Sequence, residues 1–190
     1  EAAGLRLADQ TVAVLDLSDV AARLLGHPLP AILGREIFDA ARLQIDIAGG
    51  TVAVVTEDTE PPGQRLPLTT EHGIETFPVR VEGHAPVQAA FDLGNGSNVL
   101  IGADYARRAG LLDDQRAVTR ERGGGIGGET ERAVIRLAEI EVAGRTFRDV
   151  PASIEESESA NDLNVGIAVL EHFLITTDFR ERSLWLLPRN

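Results

Sequence analysis

A single carboxylate stands in a glycine-rich turn between two apolar runs. Asp92 follows an apolar segment that ends at Phe91, Gly94 lies two positions further on, and Val99 opens the next apolar run. Glycine lets the backbone turn sharply beneath the carboxylate and lets neighbouring amides point at it. Such a turn can present an acid to a cleft. The tripeptide Asp-x-Gly alone also fits an ordinary Asx turn that closes a hairpin.

A second glycine-rich segment, residues 123–128 with the sequence GGGIGG, follows the acidic turn. It satisfies the dinucleotide fingerprint Gly-x-Gly-x-x-Gly, but that fingerprint needs an apolar strand before it and a helix after it. Here the charged residues 120–122 precede the run, and the strand-like segment 133–142 follows it. The run therefore predicts the tip of a β-hairpin, which is either a flexible loop or a flap that covers a substrate.

Three segments, in this order, resemble the retropepsin family of aspartic proteases. They are the acidic turn within residues 91–100, the glycine run 123–128, and residues 164–166, where a segment that ends in glycine opens a short helix. Residues 32–35 resemble the last of these segments even more closely. The resemblance covers almost all of residues 74–190, and it implies a mainly β, retropepsin-like acid-protease fold.

The family mechanism needs two aspartates that face each other across a cleft and share one proton, because close like charges cannot both ionise. The resemblance implies that Asp92 is one of these acids and that the pair activates water to attack a peptide carbonyl. The substrate would be a peptide or protein, and the fold needs no metal or organic cofactor. The implied substrate contacts beside the acid and in the flap are Gly94, Asn95, Gly125, Ile126 and Gly127.

This chain departs from the family pattern inside the acidic turn. Leu93 stands where the family has Thr or Ser, whose hydroxyl braces the two acidic turns against each other. Asn95 and Gly96 replace the usual Ala or Ser and the polar residue that follows it. Two alternatives are therefore predicted: an aspartic endopeptidase, and a catalytically degenerate peptide-binding or assembly module that keeps the cleft but lacks the chemistry.

An internal repeat organises the chain, and repeats of this kind decide the fold. Gly34 and Gly166 are 132 positions apart, as are Asp46 and Asp178, and each glycine leads to two short apolar segments. Shifting Asp92 back by the same offset gives a position before Glu1. We therefore expect two tandem lobes, with the front half of the first lobe missing from this chain. The second catalytic acid would come from that missing segment, which the repeat favours, or from a homodimer mate.

The predicted boundaries follow the composition of the chain. Residues 1–55 form the C-terminal part of the first lobe, residues 56–73 an acidic, proline-bearing linker, and residues 74–190 the second lobe. Within the second lobe, alternating apolar residues predict a hairpin over 77–91 and paired strands over 135–147. Helical spacing predicts a short helix at 104–112, and we expect one more short helix at 169–173, before the terminal strands.

Composition excludes several classes of function. The chain has 190 residues with 18 basic and 30 acidic side chains, a formal net charge of -12. Nucleic acid is excluded as a partner, because phosphate-tracking surfaces need basic stripes. No run approaches the roughly 18 apolar residues of a membrane span, and the isolated histidines lack the paired spacing of a zinc site. Because bacterial relatives of this kind are often exported, the resemblance implies a periplasmic or cell-envelope location.

Overall fold

A computed structural model describes residues 3–56, 58–113, 116–125 and 128–189. The helical segments are α1 (Ser18–Val20), a π-helical turn (Ala21–Leu25), α2 (Arg35–Ala40), α3 (Ala103–Arg108) and α4 (Ile167–Leu170). The strands are β1 (Leu43–Asp46), β2 (Thr51–Val54), β3 (Gln64–Pro67), β4 (Thr69–Glu71), β5 (Ile74–Val81), β6 (Val87–Phe91), β7 (Val99–Gly102), β8 (Thr119–Gly125), β9 (Gly128–Val142), β10 (Arg145–Glu155), β11 (Leu163–Val165), β12 (Phe173–Asp178) and β13 (Ser183–Pro188). The predicted mainly β class is confirmed.

Within the described residues, the larger sheet has eight strands in the order β4-β5-β6-β11-β7-β10-β9-β8. Strand β5 also pairs with β9, so the sheet curls back on itself. Apolar residues at every second position of β5 form the inner face of this sheet, because successive side chains of a strand point to opposite faces. Phe77, Val79 and Val81 are buried there. The predicted β5–β6 hairpin and the paired strands β9 and β10 are both present.

Strand β11 lies between β6 and β7 in this sheet. It runs parallel to β6, with Val165 opposite Phe91, and antiparallel to β7, with Val165 opposite Val99. Strands β6 and β7 follow each other in the sequence, yet they are joined through β11 rather than to each other. The segment between them, residues 92–98, must therefore pass across the C-terminal end of β11.

The second sheet contains five strands among the residues described, in the order β2-β1-β12-β13-β3. All of its pairings are antiparallel, and they join residues 43–54 to the last strands of the chain. Arg42 donates to Asp178 at 3.0 Å across the β1–β12 boundary, and both side chains are buried. Strands β3 and β4 fall within residues 56–73, whose assignment as a linker stays a prediction.

Both sheets contribute to one buried apolar cluster. Phe77 and Ile135 from the larger sheet and Leu43, Phe173 and Ile175 from the smaller one are buried within it. Burying large apolar side chains contributes roughly 1.5–3 kcal/mol each. In the part of the chain that the structure describes, no helix is long and apolar enough to cross a membrane.

The short helices differ from the predicted bounds. Helix α3 ends at Arg108 rather than at residue 112, and Gly110 follows with a φ of 66°, a left-handed conformation that suits glycine after a helix. Helix α4 begins at Ile167, earlier than predicted, while Phe173 already belongs to β12. Short apolar runs do not tell a helix from a buried strand, which explains the shifted boundary.

Candidate active site

Asp92 stands directly after β6, at the point where the chain leaves the larger sheet. Its neighbour Phe91 is buried and packs edge-on against Phe77 and Phe179. Asp92 itself is half-buried. The aromatic packing fixes the end of β6, so the carboxyl group starts from a rigid element rather than from a mobile loop.

Two N–H donors hold the carboxylate of Asp92, one on each oxygen. The backbone N–H of Gly94 donates to Oδ1 at 2.8 Å, and the side-chain amide of Asn164 donates to Oδ2 at 3.1 Å. The first bond is local and closes the turn. The second comes from β11, which lies beside β6 in the sheet. The carboxylate is therefore fixed by both sequence neighbours and tertiary structure.

The bond from Asn164 ends a directional chain of side chains. A carboxylate can only accept, so Asn164 turns its NH2 group toward Asp92 and its oxygen toward Asn95. The amide of Asn95 donates to that oxygen at 2.9 Å, and the hydroxyl of Ser97 donates to the Asn95 oxygen at 2.6 Å. Each member fixes the orientation of the next, and a satisfied polar network of this kind rigidifies its site.

The start of α4 holds the far side of the acidic turn. The backbone N–H of Gly166 donates to the carbonyl of Asn98 at 2.7 Å, and that of Ile167 donates to the carbonyl of Asn95 at 2.9 Å. A β-carbon at Gly166 would lie 2.8 Å from the carbonyl carbon of Ser97. Glycine at this position therefore permits the close approach of helix and turn.

Leu93 is partly buried and packs against the apolar core. Its side chain has no donor or acceptor, so it cannot brace a second acidic turn through a hydrogen bond. The polar support of Asp92 comes from the N–H of Gly94 and from the amide of Asn164, which Asn95 orients in turn.

The described glycines of the run, residues 123–125 and Gly128, lie at the end of the β8–β9 hairpin, as predicted. The pairing extends from Thr119 opposite Val134 to Gly125 opposite Gly128, and Gly128 has a φ of 105°. The predicted flap residues Ile126 and Gly127 lie outside the described residues. A role for this hairpin as a cover over Asp92 stays a prediction.

An ion pair anchors the segment that enters this hairpin. The guanidinium of Arg116 donates to both carboxylate oxygens of Glu82 at 2.8 Å and to the carbonyl of Arg136. Hydrogen bonds from Arg116 hold the pKa of Glu82 below its ordinary value, with a further lowering contribution from the backbone N–H of Ala138. The pair is mostly buried, so bulk solvent screens it weakly.

Asp92, Gly94 and Asn95 come together in one turn, but they do different things. Gly94 positions the acid through its N–H, while the side chain of the buried Asn95 is engaged inside the protein. Their contact with substrate stays a prediction. The sequence reasoning missed Asn164 and Ser97 as site residues. A signal was present, because Asn164 is polar between the apolar residues Leu163 and Val165 in a strand.

No group of three or more His, Asp or Glu side chains that could hold a metal ion occurs within residues 3–56, 58–113, 116–125 and 128–189. In the part of the site that the structure describes, the carboxylate of Asp92 is supported by a backbone donor and a side-chain amide donor.

The chain matches the model of a known protein family and is similar to solved structures. A family model described as aspartyl protease matches residues 77–178, which is more than half of the chain. A retropepsin-like aspartic protease from Rickettsia conorii is similar in structure, with 13% sequence identity and a TM-score of 0.46 over 70% of this chain and 99% of that one. No curated protein matches. The family match includes Asp92 and Asn164 and confirms the family predicted from the motifs, so the chain belongs to the aspartyl protease family.

Proposed function

We propose that this chain is part of an aspartic endopeptidase in which Asp92 is one of the two catalytic acids. The observation that carries the proposal is the fixed carboxylate at the end of β6. The N–H of Gly94 and the amide of Asn164 hold its two oxygens, inside the segment that matches the aspartyl protease family. Catalytic groups need this kind of fixed geometry, because misplacement by about 1 Å can cost roughly a hundredfold in rate.

The chemistry would follow from a pair of acids that share one proton. The ionised acid removes a proton from a water molecule as the water oxygen attacks the peptide carbonyl carbon. The protonated partner gives its proton to the developing oxyanion or to the leaving amine. Peptide bond cleavage thereby consumes one water molecule and needs no cofactor.

The second acid has two possible sources: a segment that completes the first lobe, or a homodimer mate. In this proposal residues 1–55 belong to the first lobe, residues 56–73 to a linker, and residues 74–190 to the second lobe. The β1–β12 pairing supports that division, because residues 43–45 pair with residues 175–177, their counterparts at the offset of 132. The periplasm or cell envelope stays the predicted location.

A second candidate function is a degenerate peptide-binding or assembly module. Leu93 is the observation that favours it. This side chain packs against the core, where the family pattern has a hydroxyl that braces the two acidic turns. A protein that lost this brace could keep a cleft that binds an extended peptide by strand addition.

Cleavage of a mixed peptide library by the complete natural polypeptide, from acid to neutral pH, separates the two functions. Asp92→Asn removes the proposed acid. Asp104→Asn is the matched control, because it makes the same change at a side chain that is 84% exposed on α3. We expect cleavage by the parent and by Asp104→Asn, and none by Asp92→Asn. If the parent retains peptides but cleaves none at any pH, the binding function replaces the enzyme.

A further inference from the structure

A cavity of about 320 Å³ lies beside the residue that supports Asp92. Asn164 of β11 lines it, together with Leu100 of β7 and Glu155 at the end of β10. Leu100 is paired with Asn164 on one side and on the other with Ser153, two residues before Glu155. Paired residues and every second residue along a strand point to the same side of a sheet. These side chains therefore project from the face opposite the apolar core, in which the alternate residues of the same strands are buried.

The connection between β10 and β11 closes the cavity over this face. The N–H of Gly102, at the end of β7, donates to the carbonyl of Asp162 at 3.1 Å. A β-carbon at Gly102 would lie 2.7 Å from the carbonyl oxygen of Asn161, so glycine permits the close approach of the connection. Ser157, Ser159 and Asn161 from the connection line the cavity.

Two polar groups in the wall of the cavity have hydrogen-bonding capacity that the described residues do not use. The side-chain NH2 of Asn161 is buried and has no partner among them. The guanidinium of Arg132 donates twice to Oε2 of Glu155, at 3.0 and 2.7 Å, and Oε1 accepts from no described donor. Glu155 is the one charged side chain among the described lining residues, and Arg132 balances its charge. The cavity therefore offers one donor and one acceptor without net charge.

A carboxamide is the side-chain group that matches this pair. Its carbonyl oxygen accepts from the NH2 of Asn161, and its own NH2 donates to Oε1 of Glu155. A carboxylate has no hydrogen to donate and is repelled by Glu155, an ammonium has no acceptor for Asn161, and an aliphatic group leaves both unpaired. Leaving a buried polar group unpaired is costly. Leu100 and Ala160 add apolar wall for the methylene groups of such a side chain.

We propose that this cavity binds one side chain of a peptide and selects glutamine or asparagine there, with Asn161 as the residue that determines the specificity. The bound residue lies close to the cleaved bond, because Asn164 both lines the cavity and donates to Asp92 at 3.1 Å. That the bound peptide is also cleaved rests on the proposed function, whereas the selection of an amide does not.

Sequencing the cuts made in a randomised peptide library by the complete natural polypeptide tests the selection. We expect glutamine or asparagine at one position near the cut, favoured over glutamate, lysine and leucine by at least about tenfold, as expected when a buried donor is left unpaired. Asn161→Asp replaces the donor by a second carboxylate, so the preference at that position should move to lysine or arginine. The matched control is Gln64→Glu, which makes the same change at an exposed residue of β3 in the smaller sheet.

A second variant, Asn161→Ala, separates binding from a structural role. The described residues give the side-chain NH2 of Asn161 no hydrogen bond, so its removal leaves no partner unsatisfied. In urea unfolding we expect a free energy of unfolding equal to that of the parent or above it, together with loss of the amide preference. A variant that is clearly less stable than the parent would show that this amide is engaged inside the protein, and would count against the proposal.

The remaining outcomes decide between the cavity and the enzyme. Cuts without an amide preference, or a preference that is unchanged in both Asn161 variants, would refute the selection. If the parent cuts nothing, its binding to an array of peptides with Gln, Glu, Lys or Leu at each position replaces cleavage as the measurement. Binding that prefers the amide and shifts in Asn161→Asp would support the cavity and contradict only the enzyme. Binding without that preference, or no binding, would overturn the cavity as well.

Discussion

Replacing Gly166 by alanine perturbs the support of Asp92 without changing any polar side chain. A β-carbon at this position would lie 2.8 Å from the carbonyl carbon of Ser97 and 2.9 Å from Cγ of Asn95, and closer still to the Ser97 carbonyl oxygen. These are backbone and buried atoms, so a rotamer change cannot relieve the collision. The acidic turn and the start of α4 must separate by about 1 Å before the contacts become ordinary.

The cost of this separation follows from what holds the two segments together. Overpacking of a rigid site typically costs about 1–3 kcal/mol, and each of the backbone bonds from Gly166 and Ile167 to the turn contributes about 1 kcal/mol. The reduced freedom of the unfolded alanine chain returns about 0.4–1 kcal/mol. We expect a net loss of roughly 1–3 kcal/mol in the free energy of unfolding. Cleavage should fall by about a hundredfold, because the acid moves by about 1 Å.

Urea unfolding of the complete protein, together with peptide cleavage under native conditions, measures both effects. Gly96→Ala serves as the control for stability, because it adds the same methyl group to the same turn in open space. We expect its free energy of unfolding to stay within about 0.5 kcal/mol of the parent. If Gly166→Ala is as stable as Gly96→Ala, the close approach of α4 does not hold the turn, and this explanation of Gly166 fails.

Two further predictions concern the site and the hairpin beside it. Asn164→Leu removes the amide that donates to Asp92. Because hydrogen bonds to charged groups contribute about 1.5–3 kcal/mol, we expect kcat to fall roughly 10- to 100-fold in steady-state kinetics. An unchanged kcat would contradict a positioning role for Asn164. Because Arg116 lowers the pKa of Glu82 in the folded state, their pairing stabilises the fold fully above the ordinary glutamate pKa of about 4.3, and this contribution is lost as the pH falls through the lowered pKa. Urea unfolding at a series of acidic pH values measures this contribution. As the pH falls, the free energy of unfolding should decrease less in Glu82→Gln than in the parent. If it decreases equally in both proteins, the pairing of Glu82 with Arg116 does not contribute to the pH dependence of stability.

The sequence alone determined the local features of this protein. The Asp-x-Gly turn, the glycine-rich hairpin tip and the glycines before α2 and α4 can be recognised in the sequence. Glycine marks backbone positions with unusual freedom or close contact. The period-two alternation in β5 and β6 predicted their hairpin for a similarly local reason. The order of these motifs along the chain was then enough to identify the family, and the family match over residues 77–178 confirms it.

Only the tertiary structure decided which segments become neighbours. The insertion of β11 between β6 and β7 and the pairing of β1 with β12 join residues that are far apart in sequence. Periodicity shows which face of a strand is buried, but it does not name the partner strand. The same limit hid the role of Asn164. Its amide matters because β11 brings it to Asp92, and that contact depends on a pairing that no local pattern records.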